Sequence, residues 1–162
     1  MSKKQWLLII LLLFVVVAVF SAVLTVKLSK KTEPTDVFIP PAADKTAVKG
    51  LPDVEECYRN FKTENFTAGL CGKLTQYDNG KIDVYFASAE DNEVLLKLLV
   101  WDENENTIGE SGIIRPGEYV KTVTLSKPLD SKKEVYLRVI SYNPENYYSM
   151  GVLSIKTEID VP

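Results

Sequence analysis

The chain has 162 residues, a formal net charge of −3, two cysteines and no histidine. The absence of histidine removes the usual general base near neutral pH, the usual zinc ligand and every Ser/His or Cys/His nucleophile pair. We therefore predict that the protein is not an enzyme, that it has no catalytic residue, and that it binds no metal and no cofactor. The length leaves room for one globular domain of ordinary size.

Charge is distributed unevenly along the chain. Residues 1–31 contain five lysines and no acidic residue, so residues 32–162 carry 14 basic against 22 acidic side chains, a net charge of −8. A domain of that charge repels phosphate backbones. We therefore expect no nucleic-acid partner.

The segment Trp6–Val26 is apolar, with Ser21 and Thr25 as its only polar residues. At about 1.5 Å per residue a helix of that length spans about 31 Å, the depth of a bilayer's hydrocarbon core. The apolar region of a cleaved signal peptide is shorter, so we predict a retained transmembrane helix over residues 6–26, with residues 1–5 in the cytoplasm. A cleaved signal peptide is the alternative.

Lysines flank this segment on both sides and do not decide its orientation. Cys57 and Cys71 do favour one, because an even cysteine count fits a single disulfide in an oxidising compartment. We therefore predict a single-pass protein of the cell membrane with an extracytoplasmic carboxy-terminal domain. Two buried free thiols in a cytoplasmic domain are the alternative.

Residues 27–52 begin with lysines and continue with a proline-containing stretch, which is typical of a spacer. Within it, Val37, Phe38 and Ile39 are a candidate short strand. Residues 53–162 are the predicted domain. It begins with Asp53 and Glu56, a capping-box pair, which predicts one short helix to about Lys62. A Cys57–Cys71 disulfide would join this helix to the first strand.

Beyond the Thr63–Gly69 segment, which we predict to be a loop, the hydrophobic period changes to that of strands. Lys73–Tyr77 and Lys81–Ser88 flank Asn79-Gly80, which predicts a hairpin with a two-residue type I′ turn. Ile82, Val84 and Phe86 should then point to one face, and Asp83, Tyr85 and Ala87 to the other. Almost wholly apolar, Val94–Trp101 is typical of a central strand covered on both faces. The remaining predicted strands are Thr107–Ile114, Tyr119–Leu125, Val135–Tyr142 and Val152–Val161.

Seven short strands separated by turns predict a mainly β fold, a seven-stranded antiparallel immunoglobulin-like sandwich. Between Val84 and Leu125 the core strand, the acidic Asp102–Asn106 turn and the Pro116-Gly117-Glu118 turn resemble the layout of small bacterial extracytoplasmic sandwich domains, including the FxLYD-like group. The signature of that group is not matched, because Trp101-Asp102 offers only an aromatic residue followed by Asp. The resemblance implies a fold and a surface location, and it transfers no functional residue.

Asp102, Asn104 and Asn106 have the oxygen-ligand spacing of the first half of a calcium loop. Thr107 stands where such a loop needs glycine and Ile113 where it needs the bidentate glutamate. We therefore interpret the segment as a polar hairpin turn.

Four residues around the last predicted loop are candidates for partner binding: Tyr142, Tyr147, Tyr148 and Met150. Tyrosine offers a flat apolar ring with a polar tip, which suits a protein or sugar contact surface. The alternative is that these rings cap the core.

Together these features predict a membrane-anchored structural or interaction protein. Its external sandwich would bind other envelope proteins, as an accessory subunit of a surface or secretion-type assembly. The alternative is a module that binds envelope glycan or peptide through the Tyr147/Tyr148 loop.

Overall fold

The computed structural model describes residues 5–6, 39–54, 56–77 and 79–162. The chain consists of two compact units, residues 1–39 and residues 40–162. In the first, Gln5 and Trp6 are helical; apart from Trp6, the predicted transmembrane helix lies outside the described residues. Among the residues that are described, no helix is long and apolar enough to span a bilayer.

The second unit is mainly β, as predicted. Ten strands form one curled sheet, and the described part of residues 40–162 contains no α-helix. The strands are β1 (Val48–Lys49), β2 (Tyr58–Lys62), β3 (Thr67–Cys71), β4 (Leu74–Tyr77), β5 (Lys81–Ser88), β6 (Leu95–Trp101), β7 (Thr107–Ile114), β8 (Glu118–Thr124), β9 (Lys133–Tyr142) and β10 (Ser149–Asp160).

The strands follow the order β1-β8-β5-β4-β10-β9-β6-β7, and β3 pairs with both β2 and β5. Among the strands that the structure describes, every pairing is antiparallel except β4 with β10, where Leu74 lies opposite Ile159 in a parallel pair. The prediction of seven strands in a wholly antiparallel arrangement was therefore wrong, because β1 to β3 were not foreseen and β4 pairs with a distant strand.

One hydrophobic core is shared by the two halves of the curled sheet, one of which contains β5 and β8 and the other β6 and β9. Phe86 and Val120 of β5 and β8 belong to the same buried cluster as Leu98 of β6 and Leu137 of β9. Alternation produces this arrangement, since every second residue of a strand points to the same side. Ile82, Val84 and Phe86, which were predicted to share one face, are fully buried, and so is Ala87, which was predicted to lie on the other face.

The strand β6 has one fully buried side and one half-buried side. Leu96, Leu98 and Val100 are inaccessible to solvent, whereas the residues between them are of intermediate exposure. The prediction of a strand covered on both faces was therefore wrong.

The predicted short helix was also wrong, because Tyr58–Lys62 is a strand. Its residues pair with β3 from Tyr58 opposite Cys71 to Lys62 opposite Thr67. A helix of about ten residues is marginal by itself, and cross-strand pairing overrides the local capping signal. The Cys57–Cys71 disulfide is confirmed, and it joins the turn residue before β2 to the last residue of β3 instead of a helix to a strand.

The Asn79-Gly80 hairpin is confirmed, with a longer loop than predicted. Asn79 and Gly80 both have positive φ, 56° and 86°. Tyr77 lies opposite Lys81, so three residues and not two separate the paired positions.

Part of the predicted spacer lies against the sheet. Ala43 forms a parallel bridge with Ile113, and the Asp44 carboxylate accepts a 2.7 Å hydrogen bond from the Gly112 amide. Farther along, β1 pairs with β8. A side chain at Gly112 would collide with the Asp44 backbone, so this close approach requires glycine there.

Candidate functional site

A continuous row of large side chains covers the outward side of β6, β9 and β10. Because Leu96, Leu98 and Val100 point into the core, their neighbours in β6 point outward, and the same alternation holds in β9. We call this surface the aromatic face. Its members are Leu95, Leu99, Trp101, Tyr136, Arg138, Ile140, Tyr142 and Val152.

Strand register makes the aromatic face continuous. Between β6 and β9, the directly opposed outward pairs are Leu95 with Tyr142, Lys97 with Ile140, Leu99 with Arg138, and Trp101 with Tyr136. Between β9 and β10, Ile140 lies opposite Val152. Directly opposed side chains in an antiparallel pair are close enough to touch, so apolar surface extends across three strands.

A stacked pair, Trp101 and Arg138, lies within this face. The Arg138 guanidinium carbon is 4.1 Å from the centre of the Trp101 ring. Trp101 Nε1 and Arg138 Nε are both shielded from solvent and have no hydrogen-bond partner. A buried donor without a partner costs about 1–3 kcal/mol, so these two nitrogen atoms are an unfavourable feature of the folded chain.

Ion pairs surround the stack. Lys97 contacts Glu110 at 2.9 Å, and Lys156 contacts Glu134 at 2.8 Å. The hydrogen bond to Glu134 raises the pKa of Lys156. Within the described part of the chain Arg138 has no such carboxylate partner, so it leaves the centre of the face with an uncompensated positive charge.

The loop between β9 and β10 is ordered by Asn143. The Asn143 carbonyl accepts the Tyr147 amide at 2.9 Å, and the Asn143 amide donates to the Tyr148 carbonyl at 2.9 Å. Asn143 Oδ1 accepts the Glu145 amide at 2.8 Å. Tyr147 has a positive φ of 58°, an unfavourable conformation for a side chain with a Cβ atom, which these bonds hold in place.

The four predicted partner-binding residues occupy this end of the hairpin. Tyr142 ends β9, is half-buried and belongs to the aromatic face. Tyr148 is 71% exposed and Met150 43% exposed, while Tyr147 is half-buried. Ser149 pairs with Tyr142, which brings the loop next to the face. Their role in binding stays a prediction.

One groove lies beside this loop, and another lies at β1 and β2. The first, of about 420 Å³, lies beside Met150 and includes Asn65, Asn143 and the acidic residues Glu64, Glu93 and Glu145. The other, of about 450 Å³, lies between Tyr58, Leu51 and Pro116. Burial raises the pKa of the Tyr58 hydroxyl.

Asp102 organises the turn between β6 and β7. Its Oδ1 accepts the amides of Asn104 and Asn106, each at 2.9 Å. The Asn106 amide is the main reason why the pKa of Asp102 is lowered, with smaller contributions from the Asn106 side chain and the Asn104 amide. This carboxylate supports the turn, and the described residues hold no group of three or more His, Cys, Asp or Glu side chains arranged for a metal ion.

Comparison of the chain with protein-family models, curated proteins and solved structures gave no match. The resemblance of the Val84–Leu125 layout therefore stays a prediction. The sequence interpretation missed Trp101, Tyr136 and Arg138 as candidate contact residues. The sequence did contain a signal for these residues. Every second position of β6 and β9 faces outward, and most of these positions hold large side chains where a solvated surface would have small polar ones.

Proposed function

We propose that this protein is a membrane-anchored interaction module that binds another envelope protein through its aromatic face. The observation that supports this most is the Trp101–Arg138 stack, whose two shielded donors have no partner. Tryptophan, tyrosine and arginine are enriched at protein interfaces and dominate their binding energy. The partner surface would be apolar and would place an acidic side chain over Arg138.

The proposal includes the finer architecture. The single core shared by Phe86, Val120, Leu98 and Leu137 supports treating the curled sheet as an immunoglobulin-like sandwich. The apolar stretch Trp6–Val26 supports a transmembrane anchor, and the disulfide supports an extracytoplasmic domain. In this role the protein is an accessory subunit of a surface or secretion-type assembly.

Site-specific photo-cross-linking in intact cells tests the contact surface. A photoreactive phenylalanine derivative at Ile140 should give a discrete adduct with a second protein. The same group at Lys121, an exposed position on β8, is the matched control and should give none. Adducts from Lys121 and none from Ile140 would refute the proposed surface.

Topology has its own test. Protease added to intact cells should remove the β domain. The same treatment of inside-out membrane vesicles should spare it. The opposite pattern would place the domain in the cytoplasm and end the envelope role.

A second candidate function is binding of envelope glycan or peptide at the β9–β10 loop. The exposed Tyr148 ring next to a groove that contains Asn65 and Asn143 favours it, because an aromatic platform beside amide groups suits sugar recognition. Retention of the full chain on isolated wall material should fall at least tenfold in Tyr148→Ala. The variant Tyr119→Ala, on β8, is the control, and equal retention of both variants would exclude this function.

A further inference from the structure

The strand β10 is twelve residues long, and among the described residues no strand lies beside most of one of its edges. Its other edge pairs with β9 from Ser149 to Ile159. On the open edge, β4 pairs only with Ile159 and Asp160. Within the described parts of the chain, no backbone pairing occupies that edge between Gly151 and Lys156.

Two side-chain contacts mark the limits of the open edge. Asn65 Nδ2 donates a 2.7 Å hydrogen bond to the Met150 carbonyl, and Thr157 Oγ1 donates a 2.7 Å bond to the Gly72 carbonyl. The open stretch therefore has the length of about one short strand.

Natural edge strands are usually protected by proline, by charge or by short length. The open edge of β10 has none of these between Ser149 and Ile155, where every residue is uncharged and none is proline. The first charge is Lys156, whose ammonium group is bound to Glu134 on the neighbouring strand. Leu153 and Ile155 pack against the core but remain partly exposed.

The edge also fits a copy of itself. We propose that two copies of this chain pair antiparallel through β10, with Leu153 of each copy on the two-fold axis. Gly151 then lies opposite Ile155 of the second copy, and Val152 lies opposite Ser154. No two like charges oppose each other in this register. The sheet becomes continuous across both copies.

Isologous pairing of this kind is typical of two-fold dimers. It extends the backbone hydrogen-bonded ladder, and of the aromatic face only Val152 lies on the paired strand. The contacts are made by main-chain groups of β10, so the dimer does not rest on the proposed function.

Disulfide trapping tests the register in the full chain. Leu153→Cys should give an intermolecular disulfide in membranes under mild oxidation, because the two copies of this residue face each other. The same substitution at Lys121 should give at least tenfold less cross-linked dimer. Equal trapping at both positions would refute the proposed register.

Sedimentation of the full chain in detergent tests the energetics. Ser154→Lys adds two ammonium groups diagonally across the axis, so it should weaken the dimer at least tenfold. Ser131→Lys, at an exposed loop position, should leave it unchanged. A dimer formed by residues 6–26 would be unaffected by both substitutions. That result, a monomer at every concentration, or a trap at position 153 that captures only a different protein would overturn the proposal.

Discussion

The two outward surfaces of the curled sheet contrast in chemistry although they share one core. The aromatic face of β6, β9 and β10 consists mostly of half-buried apolar rings and chains. The outward side of β5 and β8, which we call the polar face, is made of Lys81, Asp83, Tyr85, Lys121, Thr122 and Thr124. The aromatic face therefore has more of the aromatic and large apolar side chains that are enriched in protein contact surfaces.

Each surface places a cation over an aromatic ring, so the two pairs can be compared directly. Lys121 Nζ lies 5.8 Å from the Tyr85 ring centre, whereas the Arg138 guanidinium lies 4.1 Å from the Trp101 ring centre. Lys121 is exposed to solvent, and Arg138 is half-buried. Desolvation increases such attractions, so the Arg138 pair should be the stronger of the two.

Hydrogen bonding separates the surfaces further. On the polar face the Tyr77 hydroxyl donates to Asp83 at 2.5 Å. On the aromatic face the shielded nitrogen atoms of Trp101 and Arg138 have no acceptor. Monomer folding explains the arrangement of the first surface, and the second has features that folding alone does not require.

The largest expected effect separates the two sides of β6. Leu98→Ala removes a fully buried side chain and should lower the free energy of unfolding by about 2–5 kcal/mol. Leu99→Ala, on the aromatic face, should cost about 1 kcal/mol or less, since this side chain is already partly hydrated. Urea denaturation of both variants measures the difference.

Equal losses in Leu98→Ala and Leu99→Ala would contradict the comparison. They would mean that the aromatic face is part of the folding core. The photo-cross-linking experiment at Ile140 would then have no basis as a test of a contact surface.

The disulfide should contribute the next largest effect. The double variant Cys57→Ala/Cys71→Ala opens a loop with a sequence separation of 14, and loops of that length correspond to about 3 kcal/mol in the chain-entropy model. Thermal unfolding should show the loss. The NMR signal of the Trp101 indole N–H should not move, and a large shift of that signal would mean that the two regions are coupled.

A pair of double-mutant cycles compares the two cation–ring contacts. Arg138→Met with Trp101→Leu should give a coupling of about 1–2 kcal/mol, against about 0.5 kcal/mol or less for Lys121→Met with Tyr85→Leu. Methionine keeps an apolar chain in place of each cation, so the cycles report mainly the loss of charge. Similar couplings in both cycles would show that burial does not distinguish the surfaces.

Local patterns predicted the parts of this fold that depend on local chemistry. Ile82, Val84 and Phe86 alternate with less buried residues, and Asn79-Gly80 tolerates positive φ, so that hairpin was predicted correctly. Thr67–Cys71 was missed because its small residues are buried without alternation. The helix expected near Cys57 failed because pairing with β3 provides bonds that a short isolated helix lacks.

Long-range register was the main obstacle for the candidate site. Nothing in the sequence around Leu74 indicates its parallel pairing with Ile159. Likewise, Trp101 and Arg138 are far apart in sequence, and only the pairing of β6 with β9 brings them together. The alternation of each strand was visible, but which outward residues become neighbours depends on the register.

The smallest expected effect concerns the turn at the end of β6. The hydrogen bond that the Asp102 carboxylate accepts from the Asn106 amide lowers the pKa of Asp102 in the folded protein. The stabilisation from this carboxylate is therefore complete above the ordinary aspartate pKa of about 4 and is lost as the pH falls through the lower folded value. Asp102→Asn keeps an acceptor oxygen without the charge, so it should be less stable than the wild type at pH 7. The variant also lacks this source of acid sensitivity. Urea denaturation from pH 7 to pH 2 should therefore show the free energies of unfolding of the variant and the wild type converging. Parallel curves would mean that the Asp102 charge has no role in the turn, and that the acid sensitivity arises at other carboxylates.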